Sequence, residues 1–207
     1  MPITLDEEGW LGIIADPQEA SGVEFKGGEP FSKLKNPIIK AALGLVNLQD
    51  GGFIVIGVDT VGRRLVRNGI MNAVFDTYVQ DEVFEQVNRH ASPGIRLAME
   101  PREFEDKRYL VIQIFQFDNV PVFCKKTIEV DNKNYVQEAV MYCRTTTGKI
   151  ETRPVTVDDL RTILNLAVRL AIQNLESMTT GICRYAPEPQ PPSPTDAELF
   201  GRQRGEL

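Results

Sequence analysis

Residues 51–59 read Gly-Gly-Phe-Ile-Val-Ile-Gly-Val-Asp, GGFIVIGVD in one-letter code. A continuous apolar run after a glycine turn predicts a strand over 53–59, buried on both faces of a sheet. Upstream, Asn36-Pro37 predicts a helix start, with Asn as cap and Pro at the first helical position. Ile38, Ile39, Ala42, Leu45 and Val46 would form its buried face, and it should end near Asn47. Before it, SGVEFK (21–26) alternates apolar and polar, as a half-buried strand does. Strands joined through a helix are commonly neighbours in one sheet.

Further out, TLDEEGWLGIIA (4–15) predicts an amphipathic helix capped by Thr4. Downstream, GRRLVRNG reads as a turn and short strand, which makes a hairpin with the GVD segment. Residues 75–91 predict a helix, 95–104 and 108–117 a strand pair, and 120–125 and 136–144 further strands. Thr156 should cap a last long helix. The expected fold class is α/β (α+β), a mixed β-sheet with helices packed mainly on one face. The expected domain spans 1–176. Residues 177–207 contain YAPEPQPPSPTD and predict an extended Pro-rich tail.

Composition narrows the function classes. The chain has 207 residues, 42% hydrophobic and 25% charged, with a net charge of −6. That balance argues against a broadly basic nucleic-acid binder, so any such role needs a local basic face. No run is long and apolar enough for a membrane helix, and MPITLDEEGW lacks the pattern of a secretory signal. The three cysteines, Cys124, Cys143 and Cys183, are far apart. They fit reduced thiols, and a cytoplasmic location is expected. The single histidine, His90, excludes His-rich metal sites. It falls at the end of a helical pattern, where a cation is favoured for structural reasons.

Two glutamates, Glu19 and Glu24, flank the start of the first strand, and Asp59 closes the second. If those strands are neighbours, the three carboxylates could converge. Such a cluster stays ionised only around a cation, and its oxygen ligands suit Mg²⁺ or Mn²⁺. A metal held there could activate water against a phosphodiester. The same residues also have a bland reading, with Glu24 and Lys26 as a strand-edge ion pair and Asp59 as a turn former. The candidate phosphate contacts are Lys26, Arg63, Arg64, Arg67, Lys125, Lys126 and Arg144. No P-loop is present, since Thr147-Gly148-Lys149-Ile150 lacks the leading glycine and the final hydroxyl. ATP is therefore not expected.

The pattern Glu19-x4-Glu24-Phe25-Lys26, then the Ala-rich helix with Asn47 and Gly51-Gly52, then Ile56-Gly57-Val58-Asp59, resembles the Schlafen AlbA-type domain. That family is also described as a DNA-binding or divergent AAA domain. Looser matches at Pro121-Val122, Tyr142-Cys143-Arg144-Thr145 and Thr156-Val157-Asp158-Asp159-Leu160 extend the resemblance over roughly residues 16–172. It implies nucleic-acid binding. In members with ribonuclease activity, an acidic triad matching Glu19, Glu24 and Asp59 cleaves structured RNA such as tRNA. The resemblance also implies a homodimer, because some relatives join two such lobes around a groove. Their zinc-binding cysteine and histidine clusters are lacking here, so zinc is not expected. The alternative is a non-catalytic DNA-binding, regulatory or protein-assembly module. In that reading the Pro-rich tail would engage a protein partner.

Overall fold

The computed structural model describes residues 5–62, 64–145 and 149–184, with side chains through 178. Helix α1 (Glu7–Ala15) leads into strand β1 (Val23–Lys26), helix α2 (Phe31–Leu45) and strand β2 (Gly52–Ile56). Strands β3 (Val58–Val61) and β4 (Arg64–Arg67) form a hairpin, followed by helices α3 (Asn72–Phe75) and α4 (Gln80–Asn88). Then come β5 (Ala91–Ser92), β6 (Leu97–Phe104), β7 (Lys107–Ile114), β8 (Phe123–Cys124), β9 (Ile128–Val130) and β10 (Lys133–Val136). Strands β11 (Tyr142–Arg144) and β12 (Thr152–Pro154) precede the long helix α5 (Val157–Arg184). The chain divides into one compact unit through Ala171 and a second from Ile172 onward. Among the described residues, no helix is long and apolar enough to cross a membrane.

The central sheet has the order β1-β2-β7-β6. Its β1–β2 pair is parallel, while β2–β7 and β6–β7 are antiparallel, so the sheet is mixed as expected. The parallel pair needs a crossover, and α2 supplies it. Alternation sorts the sheet's residues onto two faces. Ile54, Ile56, Leu110, Ile112 and Ile114 pack with residues of α2, α4 and α5. Phe25, Val55, Tyr109 and Val111 pack with Trp10 and Ile14 of α1.

Several boundaries differ from the sequence reading, each for a local reason. Thr4 lies outside the described residues. Helix α1 is capped by Asp6, whose Oδ1 accepts from the Gly9 amide at 2.8 Å. Helix α2 begins at Phe31, so Asn36-Pro37 lies inside it. Burial of Phe31 and Leu34 holds the extra turns. Pro37 cannot donate its backbone bond, but Lys33, whose carbonyl stands opposite, is solvent-exposed.

The apolar strand is broken at Gly57, which has φ +111°. A Cβ there would come within 2.9 Å of Tyr109 Cδ1 and 3.2 Å of the Gly69 backbone. Only glycine tolerates both the torsion and the approach. The break puts Asp59 in the β3–β4 hairpin and not at the end of β2.

The helix expected over 75–91 is the shorter α4 (Gln80–Asn88), preceded by α3, which ends at Phe75. The link between them is tied to the start of α2, because the Phe31 amide donates to Thr77 Oγ1 at 3.0 Å and the Tyr78 hydroxyl to the Glu29 carbonyl at 2.6 Å. The expected Pro-rich tail lies outside the described residues beyond Arg184, and α5 runs past the expected boundary at 176.

Thr156 caps α5 through a reciprocal box with Asp159. The Asp159 amide donates to Thr156 Oγ1 at 3.3 Å, and Asp159 Oδ2 accepts from the Thr156 amide at 2.7 Å. Arg153 also donates to Asp159, at 2.5 Å. That guanidinium, with the Thr156 donors, holds the Asp159 carboxyl well below the usual carboxylate range. A depressed native value means full stabilisation above the unfolded pKa of about 4 and loss as pH falls below it. Asp159→Asn should therefore cost about 1 kcal/mol at pH 7. The gap to the parent should narrow in urea unfolding curves as the pH is lowered from 4 toward 2. A gap that persists unchanged in acid would refute this account.

Candidate functional site

Strand β1 is an edge strand, bonded to β2 on one side. Its Val23 and Phe25 turn toward Trp10 and α1. Alternation therefore sends Glu24 and Lys26 to the opposite face. There Glu24 meets Arg144, which arrives from β11 with its side chain only 2% exposed. Arg144 Nη1 donates to Glu24 Oε2, and the remaining donors are also used. Nε reaches the Ser21 carbonyl at 3.1 Å, and Nη2 reaches those of Val23 at 3.0 Å and Ala20 at 3.3 Å. Arg144 thus ties down the lead-in to β1. Lys26 Nζ pairs with the other oxygen, Oε1, of Glu24. Each oxygen of this carboxylate carries its own cation.

Two further residues, not assigned to the site by the sequence reading, contact each other. Tyr135 of β10 is half-buried, and its hydroxyl pKa is raised first by burial and then by the negative charge of Glu24. Lys40 of α2 holds its ammonium 4.9 Å from the Tyr135 ring centroid. A signal for Lys40 was present, since it is a cation set among Ile38, Ile39, Ala41 and Ala42 in a helix of mostly buried residues. Tyr135 lay in a polar stretch, DNKNYV, with no pattern to mark it.

The other predicted carboxylates, Asp59 in the β3–β4 hairpin and Glu19 ahead of β1, have other surroundings. Asp59 Oδ2 accepts from Asn68 Nδ2 at 2.6 Å. Its Oδ1 presses on Gly27, where an added Cβ would come within 2.2 Å. Glu19 is exposed and lines an open cleft of about 730 Å³ with Asp16, Thr60 and Arg64. Among the described residues, no group of three or more His, Cys, Asp or Glu side chains could hold a metal ion. With Glu24 bound by two cations and Asp59 by Asn68, this donor set does not fit Mg²⁺ or Mn²⁺.

The predicted basic residues divide by role. Arg67 donates to the Ile14 and Ala15 carbonyls at the end of α1, at 3.4 and 3.3 Å. It also pairs with Glu105 at 3.5 Å and covers the Phe104 ring. Those contacts are structural. Arg64, Lys125 and Lys126 are exposed, and Arg63 lies outside the described residues. His90 is buried, its Nδ1 3.0 Å from the Gln86 carbonyl. Cys124 and Cys143 are buried free thiols, and burial pushes Cys143 up to about 11. A thiol so protonated at neutral pH makes a poor nucleophile.

A comparison with curated proteins finds no match. Among solved structures, the DIP2311 protein from Corynebacterium diphtheriae is 15% identical with a TM-score of 0.45, over 72% of this chain and 28% of that one. The N-terminal domain of a RecG-related protein from Nitrosomonas europaea is 17% identical with a TM-score of 0.40, over 57% of this chain and 78% of that one. The family model described as Schlafen, AlbA_2 matches residues 19–153. That span is more than half of the chain and carries Glu19, the β1 edge, the β3–β4 hairpin and Arg144, so the protein belongs to the Schlafen AlbA_2 family.

Proposed function

We propose that this domain binds nucleic acid along the β1 edge, taking the phosphate backbone and leaving it uncut. The observation that carries the reading is the charge imbalance at Glu24. Two cations, Lys26 and Arg144, contact a single carboxylate and leave a positive excess at a partly exposed strand edge. In a chain of net charge −6, such a local excess is what a backbone-binding surface requires. Arg64, Lys125 and Lys126 add exposed cations that pair with no carboxylate among the described residues. Resemblance to a family with DNA-binding and RNA-cleaving members favours the same class of ligand.

Fluorescence anisotropy with a labelled single-stranded oligonucleotide tests this. Binding should be measurable at 50 mM salt and weaken as salt rises. The expected log–log slope is about −2, at roughly −0.7 for each of about three phosphates neutralised. Absence of binding at low salt would overturn the proposal. The same preparation incubated with tRNA and Mg²⁺ or Mn²⁺ should leave the RNA intact. Cleavage that disappears in Glu24→Gln would replace this reading with a hydrolytic one.

A further inference from the structure

We infer that the outer face of α5 is the seam of a homodimer, in which a second copy of this chain lays the same helix along it. Such a dimer is independent of the nucleic-acid reading. The helix runs over Val157–Arg184, and its inner face is buried in the core through Ile163, Leu166 and Ala167. A helix at a domain surface normally carries charged and polar residues on the opposite side. Here Val157, Leu164, Val168, Ile172, Leu175 and Met178 lie there instead, each between 48% and 68% exposed.

Their spacing is that of a coiled coil. Positions 157, 161, 164, 168, 171, 175 and 178 step alternately by four and three, the heptad repeat that keeps one stripe facing a partner helix. All of them are apolar except Arg161. The stripe is about 30 Å long at the helical rise of roughly 1.5 Å per residue.

Two observations select a second copy as the occupant. The first is area. The exposed side chains hold roughly 600 Å² of accessible surface, so a pair of such faces offers roughly 1,200 Å², against about 1,000 Å² for a stable interface. The second is charge. The positions flanking the stripe, Leu160, Asn165, Ala167, Ile172 and Asn174, carry none. Coiled coils select an unlike partner through opposite charges at those positions. Without them nothing repels an identical helix. Arg161 is the one charge within the stripe, and it lies 3.3 Å from Asp158 in an exposed pair. Enclosing it in a seam costs affinity, so its replacement by leucine should tighten the dimer.

Sedimentation equilibrium of the full chain over a range of concentrations tests this. The wild type should pass from monomer to dimer as concentration rises. Val168→Glu should raise the dissociation constant at least about 100-fold, because each copy would place a carboxylate in an apolar seam. Glutamate is a better helix former than valine, so circular dichroism of that variant should match the wild type. Arg161→Leu should lower the dissociation constant about tenfold. A helix face that meets only water forecasts no change of mass in either variant. A wild type that stays monomeric at every concentration would overturn the dimer. Cosedimentation of that monomer with phosphatidylserine vesicles would assign the face to a membrane surface instead. A dimer unaltered by both substitutions would place its interface elsewhere and overturn the seam equally. Should Val168→Glu not fold, the shift in Arg161→Leu decides alone.

Discussion

Arg144→Met should lower the unfolding free energy by about 3 kcal/mol, the scale for removing one partner of a buried ion pair. Typical domains have only about 5–15 kcal/mol in total, so the loss is a large fraction of stability. The guanidinium serves the Glu24 carboxylate and the carbonyls of Ser21, Val23 and Ala20. Methionine fills similar space but leaves all four acceptors without that donor. Glu24→Gln should cost less, about 1 kcal/mol, because its amide oxygen still accepts from Arg144. The double variant should be less destabilised than the sum of the singles, since the two share one interaction. Urea unfolding followed by circular dichroism measures all three. Wild-type stability in Arg144→Met would mean that the β1 lead-in is held by something else.

Asn47→Val should cost about as much, roughly 3 kcal/mol, through unsatisfied backbone groups. Asn47 is 2% exposed and joins three segments with one amide. Its Nδ2 donates to the carbonyls of Val122 and Tyr142, both at 2.9 Å, and of Leu43 at 3.3 Å. Its Oδ1 accepts from the Val122 amide at 2.9 Å. Valine matches the bulk but bonds to none of them. Asn47→Asp is the sharper probe, because it turns a carboxylate oxygen toward the three carbonyl oxygens to which the amide had donated. Burial should raise that carboxyl's native pKa, so the variant should be less unfavourable in acid than at pH 7. Stability that does not recover in acid would show that charge is not the cause. This link bears on the site as well, since Tyr142 opens β11 and Arg144 ends it. Loosening Asn47 should therefore also weaken oligonucleotide binding.

Periodicity made much of the architecture readable. The alternation of VEFK and the run GFIVI were enough to place β1 and β2, and a helix between them implied that they are neighbours, which the parallel pair bears out. The bland reading of Glu24 and Lys26 as a strand-edge ion pair is the contact that forms. Convergence was harder to read. Gly57 looked like one more small residue in an apolar run, yet its torsion diverts Asp59 into a hairpin. Arg67 looked like a phosphate ligand until the end of α1 arrived beneath it.

By itself the sequence determined the order and type of most elements and the mixed sheet, because those follow from hydrophobic spacing and local backbone preference, while the family was legible through its motifs. Only the tertiary structure decided which charges meet. Glu24 finds Arg144 across 120 residues of chain, and Lys40 finds Tyr135 from a different element. Such pairings arise from the packing of β10 and β11 on α2 and from the reach of Arg144 to β1. Local propensity carries no trace of that packing, because an ion pair depends on distance in space and not on separation along the chain.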